Sequence, residues 1–172
     1  MVEMMVESVR VSSSGMQRVV VLREKENDRY LLIWVGTPEA GAIALSMQGI
    51  AVARPLTHDL LRNVIEAMGA KVRRILVNDL VDNTFYARIL LDVVGKTVEI
   101  DARPSDAIAL ALRTQSTIFV EERVLDEAGI SPSAEDGQPD GKDLSVFRDF
   151  INSLGSDETT PGQGGQHTGP TS

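Results

Sequence analysis

Two spacings of apolar residues run along the chain, one suited to strands and one to helices. Met4 to Val11 predicts a first strand, closed by the turn Ser12-Ser13-Ser14-Gly15. Gln17 to Leu22 predicts a second. Its unbroken Val19-Val20-Val21-Leu22 run points to burial on both faces. The charged stretch Arg23 to Asp28 reads as a hairpin loop, and Tyr30 to Val35 as a third strand antiparallel to the second. Lys71–Asn78, Thr84–Leu91 and Thr97–Ala102, separated by Asp82-Asn83 and Gly95, predict a meander. Thr117 to Val120 predicts one more short strand.

Between these strands the period changes. Thr37 is placed to cap a helix, with Pro38 as its first residue and Glu39 answering the dipole; Gly49 ends it. Thr57 is placed to cap a second helix, with Asp59 in its first turn. Leu60, Leu61, Val64, Ile65 and Met68 form an apolar face before Gly69. Pro104 opens a third helix of strong helix formers, Ala107 to Leu112. Glu121 to Ala128 predicts a short fourth, ended by Gly129. Ser131 to Gly141 is acidic and rich in Pro and Gly, hence a linker. Leu144, Phe147, Ile151 and Leu154 share a face of a last short helix, which needs a docking site to be stable. Residues 155–172 hold almost nothing apolar and are expected to be disordered. The pattern therefore predicts an α+β domain over 1–130, with a mixed, largely antiparallel sheet and several packed helices. A linker and docking helix follow over 131–154, then a tail.

The strand–corner–helix of Ile33-Trp34-Val35, Pro38 and Ala42-Ile43-Ala44-Leu45 is echoed by Val98-Glu99-Ile100, Pro104 and Ala107-Ile108-Ala109-Leu110, with a spacing one residue different. An internal duplication and a chance likeness of two Ala-rich helices both account for this.

Charge narrows the choice of chemistry. The net charge is −8, from 25 acidic and 17 basic residues, which argues against a broad basic surface for nucleic acid. Absence of cysteine removes disulfides, thiolate nucleophiles and zinc–cysteine sites. Met1 to Glu7 carries acids where a signal peptide has a basic start, and no apolar run approaches the roughly 20 residues of a membrane span. A cytoplasmic location is expected, with no membrane partner.

His58 is the one histidine outside the tail. It suits a general base, with Arg54 before it to bind phosphate and Asp59 after it; it equally suits a helix start with no reaction to perform. Arg103, Ser105 and Asp106 crowd the corner before the third helix. There they either hold a ligand or cap the helix. Arg54-Pro55 and Arg103-Pro104 each precede a helix N-terminus, where two arginines can meet one phosphate or each pair with a nearby acid. The candidate metal ligands are carboxylates: Glu39, Asp59, Asp79, Asp82, Asp101 and Asp106, a set suited to magnesium or manganese. Lys71, Arg73 and Arg74 form the one tight basic cluster, divided between two strand faces. Tyr30, Trp34, Phe85 and Tyr86 are either core or stacking surfaces for bases.

Four segments together resemble the bacterial bifunctional nuclease family. They are Tyr30-Leu31-Leu32-Ile33-Trp34-Val35-Gly36 with Glu39-Ala40, Arg54-Pro55-Leu56-Thr57-His58-Asp59-Leu60, Asp82-Asn83-Thr84-Phe85-Tyr86-Ala87, and Ala102-Arg103-Pro104-Ser105-Asp106-Ala107-Ile108-Ala109-Leu110. The likeness covers about Met4 to Ile130. It implies a compact α+β domain that associates into dimers or larger homo-oligomers and hydrolyses DNA and RNA, with a divalent metal such as magnesium or manganese. It carries over no mechanism. On residue chemistry, the expected site has His58 as base, Asp59 and Asp106 as metal ligands or orienting acids, Glu39 as a further ligand, and Arg54, Arg103 and Ser105 on the substrate. The alternative is a non-catalytic oligomeric module whose Arg-Pro corners bind a small anion or a partner protein.

Overall fold

The computed structural model describes residues 1–12, 15 and 17–131. The linker, last helix and tail expected after residue 131 lie outside the described residues. The elements are β1 (Val2–Val11), β2 (Arg18–Glu24), β3 (Tyr30–Val35), α1 (Thr37–Met47), α2 (Thr57–Ala67), β4 (Ala70–Val81), β5 (Thr84–Val93), β6 (Lys96–Ala102), α3 (Pro104–Thr114), β7 (Thr117–Val120), α4 (Glu122–Ala128) and β8 (Gly129–Ile130).

The eight strands form one sheet in the order β6-β5-β4-β7-β1-β2-β3-β8. Every neighbouring pair is antiparallel except β4 and β7. That parallel pair needs a crossover connection, supplied by β5, β6 and α3. The protein is thus the expected α+β fold with a mixed, mostly antiparallel sheet. β8 is the addition: two residues that pair with Tyr30 and Leu31, too short to leave a pattern in the sequence.

The core lies under the helices. Val20, Leu22, Leu31, Ile33, Ile75, Val77, Ile89, Ile118 and Val120 of the sheet meet Ile43 of α1, Val124 and Leu125 of α4, and the middle of α3. Ala107, Ile108, Ala109, Leu110 and Ala111 of α3 are all at most 1 % exposed, so this helix is enclosed on every side. Its alanines let neighbours approach closely where larger residues would force them apart. On the other side of the sheet Val19 and Val21 are also fully buried, as the unbroken apolar run of β2 predicts.

Two helix starts differ from the sequence reading by one residue. Gly36, not Thr37, is the N-cap of α1, so Pro38 is the second helical residue. Leu56, not Thr57, precedes α2, and its N–H donates to Asp59 Oδ2 at 2.9 Å. Neither cap residue carries a hydroxyl, and in α2 an acid three residues on accepts from the cap's own N–H instead. The Glu39 carboxylate lies over Gly36, where a Cβ would collide with it.

The meander is closed by two-residue turns. Asp82 and Asn83 both have positive φ, as do Val94 and Gly95. Such turns match the twist of the flanking strands but suit Asn and Gly. Val94, with φ of 51° and 90 % exposed, is a β-branched residue in the left-handed region with little packing in return. Replacing Val94 with Asn is expected to stabilise the protein by about 1 kcal/mol. Urea unfolding checks it, and an unchanged or lower midpoint would count against the strain.

Candidate active site

The site forms where the N-termini of three helices meet. Each contributes a side chain from its cap or first turn: Glu39 from α1, His58 from α2, Arg103 and Asp106 from α3. The chain of contacts is continuous. His58 Nε2 lies 2.9 Å from Asp106 Oδ1. Arg103 Nε donates to Asp106 Oδ2 and its Nη2 to Glu39 Oε1, both at 2.8 Å. One guanidinium therefore joins the two strand–helix corners whose sequences echo each other.

Electrostatics fix the protons. Burial pushes the Asp106 carboxyl up, but hydrogen bonds from Arg103 and His58 outweigh it and hold the group below its ordinary range. An ionised carboxylate only accepts, so His58 donates through Nε2. When the ring is neutral, its lone pair is on Nδ1. That atom is buried and has no hydrogen-bond partner among the described residues. The arrangement is a carboxylate-oriented imidazole, the logic that in catalytic triads leaves the second ring nitrogen for base chemistry. The surface of the site is Arg103, whose side chain is 67 % exposed, with Asp106 at 29 %.

Asp59 points elsewhere. It accepts from Leu56 N–H and, at 2.7 Å, from Arg113 Nε. Arg113 also donates through Nη1 to the Ala109 carbonyl and through Nη2 to the Ala42 carbonyl. This clamp ties α1, α2 and α3 together beside a cavity of about 250 Å³ that Leu45, Ile50, Val52, Leu56 and Leu112 help to line. Sequence reasoning missed Arg113: a basic residue in a last helical turn reads as a dipole partner, and nothing in the sequence links positions 59 and 113.

The other expected residues fall outside the network. Ser105 is buried, 6 % exposed. Arg54 is exposed in the segment before α2 and bonds to none of the described residues. Asp79 pairs with Arg123, Asp82 sits in a hairpin turn, and Asp101 is exposed on β6. Among the described residues no group of three or more His, Cys, Asp or Glu is placed to hold a metal ion. Glu39 and Asp106 are bridged by Arg103, and Asp59 is committed to Arg113. As arranged, these donors do not fit a divalent cation.

Asp59 and Asp106, two of the depressed carboxylates, contribute to an acid limit. For Asp59, too, burial raises the carboxyl, but the Leu56 N–H and Arg113 outweigh it and lower the value. A depressed folded value means stability that is full above the ordinary value of 3.8 and lost as pH falls through the lower one. Urea midpoints are therefore expected to hold down to about pH 4 and to drop below it, less steeply in Asp59→Asn. Equal slopes in the two proteins would contradict this.

A family model described as the bifunctional nuclease domain matches residues 20–133, which include all of these side chains. The chain belongs to this family. It is 40 % identical over 161 residues to an uncharacterized protein of Mycobacterium tuberculosis, covering 91 % of this chain and 96 % of that protein. Similarity extends to plants: bifunctional nuclease 1 of Oryza sativa subsp. indica is 28 % identical over 127 residues, and bifunctional nuclease 2 of Arabidopsis thaliana 26 % over 162. Those matches take in 71 % and 78 % of this chain but only 38 % and 49 % of the plant proteins. Among the described residues no helix is long and apolar enough to cross a membrane.

Proposed function

We propose that this bifunctional nuclease family member is a cytoplasmic enzyme that hydrolyses phosphodiester bonds in RNA and DNA at the corner of α1, α2 and α3. The observation that carries the reading is the convergence of Glu39, His58, Arg103 and Asp106, distant in sequence, in one hydrogen-bonded chain inside the family-matched segment. Arg103 keeps N–H groups free of its two carboxylates and turns them to solvent, where they contact the phosphate. Arg54, exposed and bonded to none of the described residues, adds a second cation. His58, oriented by Asp106, takes a proton through Nδ1 from the attacking water. This requires substrate binding to uncover Nδ1, by movement of the first turn of α2 or of the exposed segment 47–55 before it. With net charge −8, binding is expected to be weak, and its salt dependence shallow because few cations contact phosphate.

One observation favours a second reading. His58 Nε2 and both Asp106 oxygens are already satisfied within the corner, as they would be in a module that binds an anion through Arg54 and Arg103 without reaction. Highly purified protein, incubated with single-stranded RNA and DNA in magnesium, manganese or chelator, separates the two. Cleavage, including in chelator, supports the enzyme and its metal-free site. Oligonucleotide binding with no cleavage in any condition supports the module.

A further inference from the structure

The cavity beside the Arg113 clamp is separate from the candidate active site. None of Glu39, His58, Arg103 and Asp106 lines it. Its wall is aliphatic: Leu45 from the end of α1, Ile50 and Val52 from the segment that follows, Leu56 before α2, and Leu112 of α3. Ile50 and Val52 are 50 % and 40 % exposed, so both keep apolar surface uncovered beside a space of about 250 Å³.

The polar groups around this space are nearly all engaged. Both Asp59 oxygens accept, one from Leu56 N–H and one from Arg113 Nε. The other two nitrogens of the Arg113 guanidinium donate to the Ala109 and Ala42 carbonyls. The last carbonyls of α1, on Ala44, Leu45 and Ser46, accept from the N–H groups of Gln48, Ile50 and Gly49. Arg62 is the exception. It lines the cavity one turn after Asp59 on α2 and is half-buried. Among the described residues its guanidinium pairs with no acid and bonds only to the side-chain oxygen of its neighbour Asn63, at 3.2 and 3.4 Å. Asp59 and Arg113 neutralise each other, so the charge left over at the cavity is the cation of Arg62. A half-buried charge without a partner gains most from an anion beside it.

We propose that this cavity binds a small apolar acid, a monocarboxylate whose hydrocarbon body lies against the aliphatic wall and whose carboxylate is held by Arg62. Volume sets the body. An apolar cavity of about 150 Å³ takes a benzene ring, so this one takes roughly ten non-hydrogen atoms, an acid of about eight carbons. The engaged carbonyls set the head group. The ligand must bring its own acceptors, and a carboxylate matches the planar fork of a guanidinium in two parallel bonds. Nothing in the wall suits a nucleobase: among the described residues no aromatic ring lines it for stacking. A chain of net charge −8 repels anions at large, so binding draws on this one local cation and on covering the apolar wall.

The inference is independent of any catalytic role. Octanoate, titrated into the full chain and followed by amide chemical shifts, tests it. Saturating shifts are expected within residues 45–62 and around Leu112 and Arg113, with a dissociation constant in the millimolar range or tighter. Octanol has the same body and no charge. It is expected to bind more weakly, and Arg62→Gln is expected to weaken octanoate at least about tenfold and so remove the difference. Val52→Trp fills the cavity from the exposed segment and is expected to abolish the octanoate shifts at an unchanged melting temperature. No saturation by about 10 mM octanoate overturns the proposal. So does octanoate that binds Arg62→Gln as tightly as wild type, or uridine monophosphate that binds at these residues more tightly than octanoate.

Discussion

Cleavage of single-stranded RNA and DNA is expected to fall at least about a hundredfold when His58 is replaced by alanine, the loss typical of removing a general base. The fold should tolerate the change. The side chain is buried, but among the described residues its one hydrogen bond is to Asp106, which keeps Arg103 as a partner. Removing it therefore strands no unpaired charge. Asp106→Asn tests the same arrangement from the other side. The amide still fills the space but no longer holds the proton on Nε2, so activity should drop; the melting temperature should fall too, because the charge that pairs with Arg103 is gone. His58→Gln keeps a donor for Asp106 and supplies no base; on this mechanism it is as inactive as alanine. Equal rates for wild type and His58→Ala would remove His58 from the reaction. Glutamine restoring the rate would make it a positioning residue for Asp106.

Arg113→Ala is expected to cost about 3–5 kcal/mol, the cost of stranding a partly buried partner of an ion pair. The Arg113 side chain is 6 % exposed and that of Asp59 is 19 % exposed, so water replaces little of what is lost. Three hydrogen bonds disappear together, to Asp59, Ala109 and Ala42. For a chain of this size the melting temperature should fall on the order of 10 °C. Arg113→Lys should fall between, since an ammonium keeps the charge but cannot fork to three acceptors held in fixed directions. Adding Asp59→Asn to Arg113→Ala should recover part of the loss by removing the stranded charge, and the double-mutant cycle measures that part. Arg113→Ala melting within a few degrees of wild type would show that the clamp is not holding the helices.

Local pattern was enough for most of the sheet. Tyr30–Val35 and Thr117–Val120 have the predicted bounds, and the meander falls where Asp82-Asn83 and Gly95 place its turns. These elements are decided by alternation and turn chemistry within a few residues. The parallel pairing of β4 with β7 was not legible, because Arg74 and Thr117 are brought together by the packing of α3 rather than by anything near either residue. The site divides in the same way. His58, Asp106, Arg103 and Glu39 were each visible as reactive residue types at helix starts. That they form one network, and that Arg54, Asp59 and Ser105 stand outside it, depends on how three helices pack. The apolar face predicted for α2 is divided: Ile65 packs against the core, whereas Leu60, Leu61, Val64 and Met68 stay exposed.

The place of β7 in the sheet has a consequence for how the chain comes together. Four residues, Thr117 to Val120, lie between β4 and β1 and pair with both. On one side is a hairpin layer from the start of the chain, on the other a meander from its middle. Each can form from neighbours in sequence as soon as it leaves the ribosome, on the microsecond scale of hairpins. Neither can join the other until residue 120 has been made. The last strand of the core is thus its keystone. Until it is in place, the newborn chain exposes two unpaired strand edges, β4 and β1, and depends on chaperones or speed to keep them from strangers.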